Sequence, residues 1–177
     1  DGFGSTTHVS VLDKNGNAAS ITTTNGEGCG YIIPEYGIMM NNMLGEEDLN
    51  SQGFHQWSHP MRLPTMMSPS IIMKDGKPFL IIGSGGSNRI RSAIVQVIIN
   101  YIYNEMILQD AIEAPRIHLE GNQLLFEPGI DISSSEFPDH ISLHPFEAKN
   151  LFFGGVNAVT LNDGHSDPRR GGTFEIV

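Results

Sequence analysis

Thr6-Thr7-His8-Val9-Ser10-Val11-Leu12, then Asp13-Lys14-Asn15-Gly16-Asn17, then Ala18-Ala19-Ser20-Ile21-Thr22-Thr23-Thr24 reads as strand, turn and returning strand. β-Branched residues suit a pleated strand, and the Asp/Asn/Gly cluster between the two runs is hairpin chemistry. Val9 and Val11 share one register on the way out, and Ala19, Ile21 and Thr23 share one on the return. Thr6 opens the first strand. A threonine whose own backbone amine has been freed is an activated nucleophile. A free α-amino group titrates at about 7.7–8.0, close to what a general base needs at neutral pH. A threonine-rich hairpin can also be only a hairpin, so the stretch needs the rest of the chain beside it.

The chain has 177 residues, enough for one domain with a real core. Its 20 glycines and 10 prolines mark many turns and point to a sheet-rich body. The formal net charge of −10 argues against a nucleic-acid partner, because phosphate binding needs clustered cations. No run approaches the roughly 20 apolar residues of a membrane span, and none reads as a signal peptide. Compartment is left open between exported and internal. Cys29 is the single cysteine. Between Gly28 and Gly30 it is expected to be a small packing residue.

Past the first hairpin, a long loop is expected from Asn25 to Arg62, broken only by the apolar piece Tyr36 to Met40. Loops of that length inside a domain are often functional. A second hairpin rises through Ser70-Ile71-Ile72-Met73, turns at Lys74 to Lys77 and returns through Pro78 to Ile82. Gly83-Ser84-Gly85-Gly86-Ser87 ends that strand. Asn88 is an expected N-cap for a helix to about Asn104, whose apolar stripe is wide enough to predict cover on most sides. Further elements are expected as a helix at Leu108 to Glu113, strands at Arg116 to Leu119 and Gln123 to Phe126, a short helix near Phe146 to Leu151, and a strand at Val156 to Leu161. The order predicts an α+β fold with mainly antiparallel sheets.

Four groups of residues could carry chemistry. The glycine loop at Gly83 to Ser87 can form an anion nest or an oxyanion hole, or be a tight turn. It lacks the full spacing of a dinucleotide loop, since position 88 is Asn88. His55 and His59 are four apart, but Gly53 and Pro60 disfavour a helix there, so no metal is assigned. The run Glu46-Glu47-Asp48 could hold an ammonium group or be solvated. Arg169 and Arg170 could sit on the surface or anchor carboxylates inside the domain.

Taken in order, the segments resemble the small, carboxy-terminal subunit of the γ-glutamyltransferases (γ-glutamyltranspeptidases). The resemblance is carried by Thr6-Thr7-His8-x-Ser10-Val11 with Asp13-x-x-Gly16-Asn17, by Thr22-Thr23-Thr24, and by Gly37-Ile38-Met39-Met40-Asn41-Asn42. It continues through Met67-Ser68-Pro69-Ser70-Ile71-Ile72, Gly83-Ser84-Gly85-Gly86-Ser87-Asn88-Arg89-Ile90, Ala114-Pro115-Arg116-x-His118 and Ser166-Asp167-Pro168-Arg169-Arg170-Gly171-Gly172.

The resemblance implies an Ntn hydrolase, a four-layer α/β/β/α sandwich completed by a large subunit from the same precursor. It implies self-cleavage before Thr6, with residues 1–5 as a pre-cleavage segment or expression remnant and residues 6–177 as the catalytic domain. Thr6 is then the nucleophile toward a γ-glutamyl amide and Thr24 the residue that orients it. Gly85 and Gly86 are the oxyanion pair, or Gly86 and Ser87 if no gap is placed. Asn42, Glu46 and Thr65 stand at substrate-binding positions. No cofactor is implied. The acyl group passes to water or to an amino acid or peptide.

The sequence also departs from the family pattern. Met43 and Glu46 stand where well-studied members carry a Gln and an Asp that bind the substrate amine. Thr65-Met66 replaces a Ser-Ser pair that holds the α-carboxylate, and Gly26 with Glu27 replaces an Asn or Glu. These changes raise two alternatives: an acylase acting on another amide, such as a glutaryl amide, and a non-catalytic homologue serving as a binding or structural module.

Overall fold

The computed structural model describes residues 6–58, 60–133 and 137–177. Strands β1 (Thr6–Leu12) and β2 (Ala18–Thr24) form the first hairpin, with Thr6 opposite Thr24, His8 opposite Thr22 and Ser10 opposite Ser20. The next stretch is less loop-like than expected. It holds a small hairpin, β3 (Ile32–Ile33) with β4 (Ile38–Met39), and two 3-10 turns at Met43–Gly45 and Glu47–Leu49. Cys29 is exposed there rather than packed.

The central sheet takes β5 (Ser70–Lys74), β6 (Lys77–Gly85), β10 (Gly155–Val159) and β11 (Gly164–Ser166) in the order β11-β10-β6-β5, all antiparallel. A third sheet joins β7 (Ile117–Glu120) to β8 (Gln123–Phe126) antiparallel and β8 to β9 (Ser142–Pro145) parallel. β6 runs through Gly85, so the first three residues of the glycine stretch are strand. β9 and β11 were not expected from the sequence. The helix expected near Phe146 to Leu151 is instead a 3-10 turn at Leu151–Phe153.

Helices α1 (Arg89–Ile98) and α2 (Leu108–Glu113) cover one face of the central sheet. Leu80, Ile82, Val156 and Ala158 on the strands meet Ile90, Ala93, Ile94 and Val97 of α1 and Leu108, Ala111 and Ile112 of α2. Each such side chain, once fully buried, contributes about 1.5–3 kcal/mol. α1 is shorter than expected and widens into a π turn at Ile99–Tyr103. It is covered on one side only: Val95 and Ile99 are exposed. Asn88 precedes the helix but makes no side-chain cap.

The first hairpin packs on the other face of the central sheet, and its alternation is inverted. Thr6, His8, Ser10, Ser20, Thr22 and Thr24 turn inward, while Val9, Val11 and Ile21 are 54%, 51% and 55% exposed. A sheet normally hides its apolar face.

A buried ionic cluster ties the C-terminal segment down. Arg116 and Asp167 pair at 2.7 Å, with both side chains almost wholly buried. Arg169 pairs with Glu127 and with Asp167. Asp167 also accepts from the Val156 and Arg169 amides.

Candidate active site

Strand pairing sets the first element of the site. Because Thr6 lies opposite Thr24 on the inward face, the two hydroxyls meet, and Thr6 Oγ1 donates to Thr24 Oγ1 at 2.9 Å. Thr24 Oγ1 also accepts from the Gly26 amide at 3.0 Å. Hydroxyls can exchange donor and acceptor roles, so Thr24 can donate back to Thr6 once Thr6 gives up its proton.

The second element is the end of β6. The Thr6 carbonyl lies directly over Gly85: a Cβ added there would sit 2.7 Å from it. Beyond Gly85 the backbone turns through Gly86 at φ +136° and Ser87 at φ +54°. The first value is open only to glycine, and a left-handed Ser87 is a strained conformation of the kind that gathers at functional sites. Consecutive amides in such a turn converge on an anion.

Thr6, Thr24, Gly86 and Ser87 all line one cavity of about 200 Å³. Glu27, Met43, Glu46, Met66, Met67, Arg89 and Arg170 are among its other walls. The lining carries both signs of charge. Burial, then the charges of Glu27 and Asp48, push the Glu46 carboxyl above its usual range. Burial, then the charge of Arg89, lowers Arg170. Asp48 lies within electrostatic reach of both Glu46 and Arg89, and Arg170 also feels the charge of Asp167. No ion pair joins the lining's acids to its arginines among the described residues, so one cavity presents both signs to an occupant.

A second cavity, of about 500 Å³, lies along β1 and the C-terminal segment and is bordered by Thr6, Gly85 and Arg170. Of the residues picked out from the sequence, Thr6, Thr24, Glu46 and Gly86 line the smaller cavity, and Gly85 lies under Thr6 on the larger one. Asn42 is not in the lining; its Oδ1 accepts from the Glu27 amide at 2.8 Å and holds that loop in place. Thr65 is exposed, its hydroxyl accepting from the Met67 amide, and Met66 and Met67 take the wall beside it. Residues 1–5 and His59 lie outside the described residues. No group of three potential metal ligands occurs among the described residues.

Arg89 was the residue sequence reasoning left without a role. Its signal was present, a cation two residues past the glycine turn with Arg91 close behind, but nothing local says that the turn and the C-terminal Arg170 share a cavity.

The Gamma-glutamyltranspeptidase family model matches residues 2–177. The chain belongs to that family. It is 37% identical over 177 residues to a glutathione hydrolase proenzyme of Bacillus subtilis (strain 168), covering 98% of this chain and 29% of that protein. It is 32% identical over 181 residues to the capsule biosynthesis protein CapD proenzyme of Bacillus anthracis, covering 97% of this chain and 33% of that protein. The chain therefore spans about a third of the length of these relatives. Its fold superposes on γ-glutamyltranspeptidase from Pseudomonas nitroreducens with a TM-score of 0.78 at 25% identity, covering 97% of this chain and 99% of that one. The expected fold class holds: an α+β Ntn hydrolase with mainly antiparallel sheets.

Proposed function

We propose that this family member is the nucleophile-bearing part of an amidohydrolase or acyltransferase that cleaves γ-glutamyl amides through Thr6. The observation that carries the reading is the Thr6–Thr24 hydroxyl pair, held on the same small cavity as the Gly86–Ser87 turn and a wall that carries both acids and arginines. A γ-glutamyl group carries an ammonium and a carboxylate on one carbon. Glu46, with Glu27 near it, suits the ammonium; Arg89 and Arg170 suit the carboxylate, since guanidinium forks match carboxylates. The acids favour an amine-bearing donor over a glutaryl one.

The chemistry begins with scission of the Ser5–Thr6 peptide bond, which turns the Thr6 nitrogen from an amide into a base. Thr6 Oγ1 attacks the amide carbonyl and passes its proton to that amine. The Gly86 and Ser87 amides receive the oxyanion, a contribution of about 3–4 kcal/mol per donor in acyl transfer. Collapse breaks the C–N bond, the leaving amine takes the proton, and an ester on Thr6 remains. Water or an amino acid, deprotonated by the same amine, then releases the acyl group.

The inverted hairpin supports a protein partner. The outward apolar face formed by Val9, Val11 and Ile21 is the surface on which the large subunit of the same precursor is placed, completing the fourth layer. Residues 6–177 form the catalytic domain in this reading.

The test is mass spectrometry of the full-length gene product under mild conditions, followed by turnover of γ-glutamyl and glutaryl anilides. Scission at Ser5–Thr6 and preference for the γ-glutamyl donor are expected, and Thr6→Ala should abolish both scission and turnover. Ordinary turnover in Thr6→Ala refutes the assignment. An intact Ser5–Thr6 bond points to the non-catalytic homologue, and preference for glutaryl anilide to the acylase.

A further inference from the structure

Three inward residues of β1 meet three positions of the sheet below in step. Thr6 lies over Gly85, and His8, two residues on, lies over Gly83. Ser10 Oγ reaches the carbonyl of Asn157, which is the β10 partner of Gly83. The contact at His8 is the tightest of these. A Cβ on Gly83 would lie 2.1 Å from His8 Cε1 and 2.3 Å from Nδ1, so the imidazole occupies the volume that a side chain at position 83 would need. Glycine at 83 is there for close approach; no positive φ requires it.

The ring is fixed at both nitrogens. His8 Nδ1 lies 2.7 Å from Thr22 Oγ1, and Nε2 lies 2.8 Å from Ser10 Oγ. Ser10 donates its hydrogen to the Asn157 carbonyl, so its oxygen is left to accept, and Nε2 carries the ring proton. Nδ1 then accepts from Thr22. The chain of hydrogen bonds runs from Thr22 to His8 to Ser10 and ends on the Asn157 carbonyl, from β2 through β1 to β10. The Asn157 side chain returns a bond to the His8 carbonyl. Burial alone holds the imidazole at about 4, well below its usual value, which keeps it neutral and able to accept at Nδ1.

We propose that His8 is a positioning residue for Thr6: seated on Gly83 and bonded across both sheets, its imidazole sets the height of β1 above β6. That height places Thr6 relative to Gly85 and the Gly86–Ser87 turn. A hydroxyl ladder by itself does not set such a spacing, because Ser and Thr are small and tolerate bridging water. The ring is the one large side chain on this part of the hairpin's inward face. The proposal rests on Thr6 being the nucleophile.

The experiment uses the full-length, processed protein and burst kinetics with a γ-glutamyl p-nitroanilide. Gly83→Ala touches no reacting atom, yet it lifts the imidazole. It should slow acylation about tenfold or more with KM within about threefold, as expected when a reacting group is displaced by a fraction of an ångström to an ångström. His8→Ala should slow acylation similarly. His8→Gln, which keeps an amide donor near the Nε2 position, should recover most of the rate. If Gly83→Ala does not fold, the double variant Gly83→Ala/His8→Ala, whose added methyl falls in the vacated space, should fold and acylate faster than His8→Ala. A rate no better than His8→Ala in the double variant overturns the proposal. So does a Gly83→Ala protein that folds and acylates within twofold of wild type, or a His8→Gln no better than His8→Ala.

Nitrogen-15 spectra of His8 give an arm independent of turnover: a neutral ring with the proton on Nε2 at pH 6 is expected, and the other tautomer overturns the seat. A wild-type protein with no burst removes the nucleophile reading and this role with it. A wild-type burst with indifferent variants removes this role alone.

Discussion

Thr24→Val replaces a hydroxyl by a methyl of nearly the same shape at the position opposite Thr6. Two hydrogen bonds end on the lost oxygen, one from Thr6 Oγ1 at 2.9 Å and one from the Gly26 amide at 3.0 Å. Each is worth about 0.5–1.5 kcal/mol net, so the pair carries about 1–3 kcal/mol. Only the part expressed at the nucleophile reaches the rate. In the resting state Thr6 donates to Thr24; during attack Thr24 must donate back to the oxygen that is losing its proton. That reversed bond forms on the way to the transition state, so its loss falls on kcat rather than KM. A hydrogen bond to an oxygen that is gaining charge is worth about 1.5–3 kcal/mol, so at about 1.4 kcal/mol per factor of ten acylation should slow roughly ten- to hundredfold, and self-cleavage should slow with it. Stopped-flow burst amplitude and rate with a γ-glutamyl anilide measure the first, and mass spectrometry of the precursor with time measures the second. Thr24→Ser keeps the hydroxyl and should stay within a few-fold of wild type. A Thr24→Val protein that acylates at more than half the wild-type rate shows that the contact is only packing, and the argument from the hydroxyl pair fails.

Asp167→Asn should be among the most destabilising single-atom changes in the protein, because it leaves Arg116 and Arg169 buried without their shared carboxylate. Breaking a buried pair costs about 3–5 kcal/mol, or about 10 °C in Tm at this size, and a calorimetric shift under about 3 °C contradicts it. His8 predicts a pH dependence of stability. Its folded pKa of about 4 lies below the ordinary 6.5, so the unfolded chain binds the proton first as pH falls. Its contribution is complete above pH 6.5 and drains away between 6.5 and about 4. Urea midpoints across that window should fall more steeply in wild type than in His8→Gln, and parallel slopes refute it. Glu46→Gln should raise KM for a γ-glutamyl donor about tenfold while leaving a glutaryl donor unchanged. Since burial and neighbouring acids raise the Glu46 pKa, KM for the γ-glutamyl donor should rise on acidification earlier than an ordinary carboxylate allows. Equal effects of Glu46→Gln on both donors remove Glu46 from amine recognition.

Where local pattern and neighbouring residues suffice, the chain could be read directly. The hairpin at Thr6 to Thr24, the second hairpin at Ser70 to Ile82 and the helix at Leu108 to Glu113 depend on alternation, turn residues and proline, all short-range. The pairing of Thr6 with Thr24 is set by the register of that first hairpin. Misreadings came where long-range contacts decide. Gly164 to Ser166 becomes a strand because β10 is there to pair with. Phe146 to Leu151 is not helical because this region packs its aromatic rings together. α1 is exposed along Val95 and Ile99 although its apolar residues promised cover.

The amino-acid order therefore determined the local elements: a threonine at the head of a strand, a threonine-rich return strand, and a glycine turn ahead of a helix. Those follow from spacing, and spacing is local. Only the tertiary structure decided which charges share the cavity at Thr6. Arg89 and Arg170 are 81 residues apart in the chain, and Thr65 and Met66 are neighbours, yet the arginines and Met66 line the wall while Thr65 faces solvent. It also decided that the hairpin turns its hydroxyls in and its valines out. The physical reason is that an alternating strand carries two faces of equal standing, and what packs against each one is settled by the rest of the molecule.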